Sequence, residues 1–375
     1  MAYNFSSLDR YLESLLDFGF PLYDCTVYVE HNEVYRRRGG NIGAPGSRYF
    51  LYSCSKPVTC AAALTLLEQG KYLLDDPVSA YLPEFGEVQV EERLPGGGFY
   101  LRPPKAPIRI RHLFTMTAGL NYNLRTPAIL EAIEKTDGRA PTREIARAIA
   151  KTPLSFDPGD RWQYSLCHDV LAALTEVIAG EKFRDYVKRV IFDPLGMTNT
   201  GYAVPEGCGL DAVNTQYRYN DEKHIAEETA KKVTHILGSE YDSGGAGMVS
   251  CPEDYILFAD AMANGGVGKS GARILSAATI DLMRTNFLTE EQRRTFTWAQ
   301  LRGYGYGLGV RTMIDRAAGG SIGPLGEFGW GGAAGALVYI SPEKKTAIYL
   351  AQHTLNPHED KVLPELRNVV FAALA

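Results

Sequence analysis

The sequence predicts a split α/β domain interrupted by a mainly helical insert. Three observations predict it. Strand-like alternation occurs near both ends of the chain, within residues 25–38 and again within residues 304–350. The stretch between them, from residue 108 to residue 201, is dominated by helical periodicity. Amphipathic helical patterns stand at the two extremes, over residues 5–16 and 362–374. Residues 1–80 and 240–375 are accordingly assigned to the split domain, and 81–239 to the insert.

The elements follow in order. Asp9, Arg10, Glu13 and Asp17 interleave with Phe5, Leu8, Leu12, Leu15 and Leu16, which predicts an amphipathic helix. Residues 25–30 and 33–38 alternate about His31-Asn32, a hairpin by period and turn chemistry. The run Arg36-Arg37-Arg38 is too short for a polybasic address and is expected along a solvent-facing strand. A long apolar helix follows Ser53, with Pro57 in its first turn and Gly70 as its stop. Residues 74–83 break the helical pattern, and Gly96-Gly97-Gly98 marks a loop or hairpin turn. Helices are then expected over 110–117, 127–135, 142–150, 170–178 and 183–190. Residues 244–250 look like a tight, glycine-rich passage back to sheet. Residues 252–264 and 276–286 are helical, and strands dominate from 304 to 350.

The bulk numbers narrow the function classes. The chain has 375 residues, 45% hydrophobic and 22% charged, an ordinary globular composition with room for a sizeable core. A net charge of −5 argues against nucleic acid or anionic membrane as the main partner. No segment reaches the roughly 18 uninterrupted apolar residues of a membrane span. The charged N-terminal pattern does not read as an export signal, so a cytoplasmic location is expected. Cys25, Cys54, Cys60, Cys167, Cys208 and Cys251 form no Cys-x-x-Cys pair and have no histidine at metal-ligand spacing. They read as free, mostly buried thiols, and neither a metal nor a cofactor is expected.

Ser53-Cys54-Ser55-Lys56 carries the chemistry. A serine three residues before a lysine, at the start of a helix, shares a face with it one turn apart. An amine held there can take the hydroxyl proton, giving an activated nucleophile that needs no histidine. The helix N-terminus adds unpaired N–H groups and partial positive charge. Spacing alone is weak, since about one chance match is expected in a chain of this composition. Ser341-Pro342-Glu343-Lys344 is such a match. It falls between two strand patterns, so it reads as a solvated hairpin turn.

The chain as a whole resembles the serine β-lactamase and penicillin-binding-protein superfamily. It looks closest to the class C β-lactamases and the carboxylesterases of β-lactamase fold, the family VIII esterases. The resemblance rests on the Ser53-x-x-Lys56 motif, on Ile110-Arg111-His112-Leu113-Phe114-Thr115-Met116-Thr117-Ala118-Gly119-Leu120, and on Pro158-Gly159-Asp160-Arg161-Trp162-Gln163-Tyr164-Ser165. It also rests on Asp193-Pro194-Leu195-Gly196-Met197, Tyr304-Gly305-Tyr306-Gly307-Leu308-Gly309 and Trp330-Gly331-Gly332, in that order. It implies a β-lactamase/transpeptidase-like fold, with a central antiparallel sheet flanked by helices and an active site in the cleft beside the helical insert.

The same resemblance implies roles. Ser53 would be the acylated nucleophile, and Lys56 with Tyr164 a coupled general-base pair. Burial and the helix N-terminus are expected to pull the lysine down from its usual ~10.4, and the nearby ammonium to pull the tyrosine down from ~10. The backbone N–H groups of Ser53 and Ala333 would form the oxyanion hole, beside Trp330, Gly331 and Gly332. Two departures matter. Tyr164-Ser165-Leu166 stands where many members have Tyr-x-Asn, and Trp330-Gly331-Gly332 where many have Lys-Thr-Gly or a His-x-Gly version. The lost asparagine and cation weaken a peptidase or β-lactamase reading and point to the esterase branch. Tyr122, Trp298, Phe328 and Trp330 are candidates for an aromatic substrate pocket.

Other motifs carry less. Gly319-Gly320-Ser321-Ile322-Gly323 matches the lipase elbow, yet Pro324 and Gly326 follow where a helix should start. Gly305, Gly307 and Gly309 do not open a helix, so they are no dinucleotide site. His112 and His168 read as structural. The expected function is hydrolysis of carboxylic esters of short to medium acyl chains, with a small-molecule ester or amide as partner and an open oligomeric state. Acyl transfer to an alcohol or amine, weak β-lactam or D-amino-acid amide hydrolysis, and a silent binding domain are the alternatives.

Overall fold

The computed structural model describes residues 3–202, 213–229 and 235–375. A seven-stranded antiparallel sheet forms its centre. Its strands, numbered in chain order, are β1 (Leu22–Val29), β2 (Asn32–Gly40), β3 (Tyr304–Tyr306), β4 (Arg311–Met313), β5 (Phe328–Gly331), β6 (Leu337–Ser341) and β7 (Thr346–Ala351). Their spatial order is β3-β4-β5-β6-β7-β1-β2. The N-terminal hairpin therefore completes a sheet begun by the last third of the chain, with Cys25 opposite Leu350.

Both faces of the sheet are covered, which is why β6 and β7 are buried throughout. Tyr339 lies opposite Ile348, so Tyr339 and Tyr349 point to opposite faces. On one face Tyr349 stacks on Tyr255 of a helix at Pro252–Ala263, with ring centroids 4.6 Å apart. On the other, the Tyr339 hydroxyl donates to the Leu363 carbonyl at 2.5 Å. Leu363 belongs to the C-terminal helix, Glu359–Ala373, which packs beside the N-terminal helix, Ser6–Asp17. The buried helix Ser55–Glu68 runs behind the sheet and packs against Cys167–Ala179.

Between residues 81 and 239 the expected helices form, but so do short strands the periodicity did not announce. Val90–Arg93 and Phe99–Arg102 pair around the glycine loop, so residues 96–98 are a hairpin turn. Gln216–Asn220 pairs with Ile225–Thr229 and, in parallel, with Thr354–Leu355. Gly201–Tyr202 and Tyr49–Phe50 flank Met248–Ser250. Two to five residues hold too few periods to reveal a strand.

The arginine run departs from its expected solvent-facing role. Arg36 and Arg38 converge on the fully buried Asp24, at 3.2 and 2.9 Å, while Arg37 reaches Glu13 and the Tyr23 hydroxyl. Alternation along β2 sends Arg37 to the face opposite its neighbours. Cys25, Cys54, Cys60, Cys167 and Cys251 are free and buried. Cys208 lies outside the described residues. Ser341 ends β6 and its Oγ accepts from Lys344 N–H, so this second Ser-x-x-Lys is a hairpin turn. No described helix is long and apolar enough to cross a membrane.

Candidate active site

The site grows from the junction of a short strand with the long buried helix. The strand Tyr49–Phe50 leads into a single 3₁₀ turn, Tyr52–Cys54, and the α-helix begins at Ser55. Ser53 thus sits at the mouth of the helix, half-buried. Tyr52 before it has φ +47°, a left-handed conformation that costs a non-glycine residue roughly 1–2 kcal/mol. Its side chain is held on both sides: the hydroxyl accepts from Gln216 Nε2 at 2.8 Å, and the ring meets His235 edge-on.

One turn on, Lys56 is fully buried. Its Nζ donates to Ser53 Oγ at 3.1 Å and to the Gly245 carbonyl at 2.7 Å. The glycine-rich passage is what allows this approach. A Cβ on Gly245 would lie 2.8 Å from Asp169 Oδ2 and 3.4 Å from Lys56 Nζ. Burial pulls the Lys56 ammonium down to about 8, and the Asp169 carboxylate opposes that pull.

Tyr164 completes the cluster. Its hydroxyl donates to Ser53 Oγ at 2.5 Å, and Lys56 Nζ lies 4.5 Å from the centre of its ring. The ring is sandwiched between Tyr122, at 5.3 Å and 15°, and Trp330, at 5.9 Å and 10°. This packing reverses the expected shift. Burial pushes the Tyr164 phenol up, and its polar contacts with Ser53 and Trp330 offset that only in part. The phenol is therefore a proton donor near neutral pH, and the lysine is the group poised to accept.

On the far side of Ser53, residues 332–336 make a tight turn, with Gly335 N–H to Gly332 O at 2.8 Å and Gly332 N–H to Ala336 O at 2.7 Å. The turn presses against the serine loop. A Cβ on Gly332 would stand 2.3 Å from the Leu51 carbonyl oxygen, so only glycine fits. Cys54 Sγ donates to the Ala336 carbonyl at 3.3 Å and fastens the same two segments, a packing role. Ala333 at the tip is exposed toward the cleft.

A cleft of about 180 Å³ opens over Ser53. Of the expected residues, Ser53, Tyr164, Trp298, Trp330, Gly331 and Ala333 line it. Tyr122 does not; it stacks behind Tyr164 and its hydroxyl pairs with His235 Nε2 at 3.1 Å. Phe328 is also absent from the lining. It is fully buried in β5, two residues from Trp330, where the sheet core encloses it. Four lining residues carried no sequence signal: Gln300, Leu301, Arg311 and Glu359. A larger groove of about 760 Å³, between the Val90–Arg102 hairpin and residues 152–163, contains none of the Ser53 cluster.

Asp169 was also missed. It is 2% exposed, and its Oδ1 accepts from the Tyr241 hydroxyl at 2.7 Å and Ser243 Oγ at 2.6 Å. Its Oδ2, the atom facing Gly245 and Lys56, has no hydrogen-bond partner among the described residues. An acidic residue in the first turn of a helix is ordinary and carries no local signature of its own. The histidines are structural as expected. His168 Nε2 meets the Phe114 carbonyl at 3.2 Å, and burial pulls it down to about 3. His112 Nδ1 accepts from Arg109 N–H.

A buried lysine and a half-buried phenol meet on one serine hydroxyl, between a helix start and a glycine turn of the sheet, an arrangement that can activate the serine as a nucleophile. The Beta-lactamase family profile matches residues 26–371, and the chain belongs to that family. Protein Rv1367c of Mycobacterium tuberculosis is 32% identical over 322 residues, covering 83% of this chain and 79% of that protein. Esterase EstB of Burkholderia gladioli is 30% identical over 356 residues, covering 88% and 85%. The solved structure of EstCE1, described as a hydrolase with promiscuous acyltransferase activity, superposes with a TM-score of 0.76 at 25% identity, covering 98% of this chain and 99% of that one. The fold is thus β-lactamase/transpeptidase-like.

Proposed function

We propose that the protein is a serine esterase that cleaves carboxylic esters of short to medium acyl chains through an acyl-enzyme on Ser53. The observation that carries this is the convergence of Lys56 Nζ and the Tyr164 hydroxyl on Ser53 Oγ, at 3.1 and 2.5 Å. Lys56 accepts the serine proton as Oγ attacks the ester carbonyl. The oxyanion is received by the N–H groups of Ser53 and Ala333, each worth on the order of 10²–10³ in rate. Tyr164, kept protonated by its packing, gives its proton to the departing alkoxide and is reprotonated from Lys56. Water then cleaves the acyl-enzyme along the reverse path.

Esters are favoured over amides and β-lactams by what lines the second and third motifs. Ser165 Oγ turns inward to Cys167 Sγ at 3.1 Å, and Leu166 is buried, so neither offers an amide contact to the cleft. Trp330 stands where a cation would hold a substrate carboxylate. The relationship to EstB supports the same choice. Acyl transfer to a small alcohol is a second reading, favoured by the aromatic wall of Tyr164, Trp298 and Trp330 and by the activity described for EstCE1. Product analysis in methanol–water mixtures separates the two.

The test is hydrolysis of 4-nitrophenyl butyrate. Ser53→Ala abolishes it, and Lys56→Ala and Tyr164→Phe lower kcat at least about a hundredfold. Intact-mass spectrometry after a fluorophosphonate is expected to show one adduct, which peptide mapping then assigns to Ser53. Full activity in the Ser53→Ala variant would overturn the assignment.

A further inference from the structure

The cleft holds a carboxylate that the chemistry above does not use. Glu359 opens the C-terminal helix and lines the same 180 Å³ cleft as Ser53, Trp330 and Ala333. Its position is fixed by the oxyanion strand. A Cβ on Gly331 would lie 2.0 Å from Glu359 Oε1, so the carboxylate rests on the bare backbone of Gly331. Ala333 is two residues further on, which puts Oε1 at most about 10 Å from the Ala333 backbone. Gln300 Nε2 reaches Oε2 at 3.5 Å.

The neighbouring cation does not cancel this charge for a ligand. Arg311 also borders the cleft, but it is fully buried, donates to the Val338 carbonyl at 3.1 Å and lies 3.9 Å from Glu327 Oε1. Its guanidinium packs against the rings of Tyr304 and Tyr339. Arg311 is thus held deep in the wall beside Glu327; its Nε and Nη1 have no hydrogen-bond partner among the described residues, and the Glu359 carboxylate is near enough to feel its charge. Glu359 is partly exposed and Arg311 is fully buried, so the carboxylate is the more accessible of the two charges in the cleft. Two like charges a few ångströms apart at a partly desolvated site repel strongly.

We propose that Glu359 sets the charge specificity of the cleft: it rejects esters whose acyl chain carries a carboxylate and admits neutral ones. This deepens the esterase reading and rests on it. Burial pushes the Glu359 carboxyl up to about 6, with Arg311 opposing. The filter therefore relaxes as the pH falls through that value. Its other ionisable neighbours are Asp360, Tyr164, Cys54 and Arg311. Burial pushes the phenol and the thiol up and Arg311 keeps its charge, so none of these three changes state between pH 5.5 and 8. Lys56, at about 8 beside Ser53, does gain charge over that range, and it is present in every variant below. Asp360 is exposed and is retained in every variant below.

The experiment compares kcat/KM for 4-nitrophenyl hexanoate and mono-4-nitrophenyl adipate, equal in chain length, on the full chain. Wild type favours hexanoate by about a hundredfold or more at pH 8. Glu359→Gln narrows that ratio at least tenfold, and Glu359→Asp keeps most of it. Lowering the pH to 5.5 narrows the ratio more in wild type than in Glu359→Gln, where only the charging of Lys56 remains. Because a ratio is read, a general loss of activity in a variant cancels. A ratio that stays within twofold across these variants, or a wild type that prefers adipate, would overturn the proposal. Labelling of Ser53 by a hexyl and a 5-carboxypentyl 4-nitrophenyl phosphonate gives the same ratio without turnover. Failure to hydrolyse hexanoate alongside a charge-dependent labelling ratio would sink the esterase reading and leave the Glu359 filter standing.

Discussion

Lys56 is held between two opposed influences. Removing its side chain from water favours the neutral amine, and the carboxylate of Asp169 favours the ammonium. Their balance, near 8, leaves a useful fraction of free amine at neutral pH while keeping it basic enough to take a proton from serine. In the proposed mechanism Lys56 must be neutral to act, so kcat/KM is expected to rise as the pH climbs toward 8. Asp169→Asn removes the opposing charge and leaves burial unchecked. Its rising limb then moves to lower pH by about one unit or more, while the plateau falls because the amine is a weaker base. A pH–rate profile with 4-nitrophenyl butyrate measures this. A lower plateau with an unmoved limb would mean that Asp169 only tethers Tyr241 and Ser243. At this scale the sequence told part of the story. Ser53 and Lys56 are three residues apart, so their meeting is helical geometry that can be read directly. Asp169 and Glu359 gain their meaning from Gly245 and Gly331, which are distant in the chain, and a lone acid on a helix has no local signature.

Two elements must touch for the site to exist: the 3₁₀ turn that carries Ser53 and the glycine turn after β5. The contact between Gly332 and the Leu51 carbonyl sets their separation. Gly332→Ala puts a Cβ 2.3 Å from a main-chain oxygen, a clash that no rotamer relieves. The two turns part, the Ala333 N–H leaves the acyl position, and kcat for 4-nitrophenyl butyrate falls at least about a hundredfold. The overlap also costs about 1–3 kcal/mol of stability, read by urea unfolding. Gly70→Ala is the control. Gly70 has φ +67° but open space around a Cβ, so it loses about 1 kcal/mol and keeps its rate. Equal rates in both variants would show that the Gly332 contact does not position the oxyanion strand. Elements of this kind were unevenly legible. The helix after Ser53 announces itself by length and period, and β6 and β7 by their runs of β-branched and aromatic residues on either side of a turn. The strand pairs at 90–102 and 216–229 do not, and Phe328 shows the limit of alternation: it shares a strand with Trp330 yet lies in the core, because pattern gives a face but not where the cleft ends.

At the scale of the molecule, the chain ends where it begins. The sheet takes β1 and β2 from the first forty residues and the other five strands from the last seventy-five, joined across the β1–β7 pair. That split was readable because strand patterns cluster at the two ends of the sequence. The pairing that joins them is a long-range register that no local pattern encodes. Its consequence is that the two termini lie together: Asn4 N–H donates to the Ala373 carbonyl at 3.3 Å. Order along the chain is then dispensable so long as the sheet closes. Linking residue 375 to residue 1 with a short glycine–serine bridge and opening the chain between Gly97 and Gly98 tests this. Those glycines are exposed, have nothing within 4 Å of a Cβ position, and turn a hairpin, Val90–Arg93 with Phe99–Arg102, that does not line the Ser53 cleft. The permuted protein is expected to hydrolyse 4-nitrophenyl butyrate within about threefold of the parent and to unfold a few degrees lower, since only an exposed hairpin loses its covalent turn. Opening the chain at Gly332 instead cuts the turn that meets the serine loop, and that permutant keeps the sheet but loses the rate. If the Gly97 permutant fails to fold, the covalent order of the two halves matters to the sheet in a way that native pairing alone does not explain.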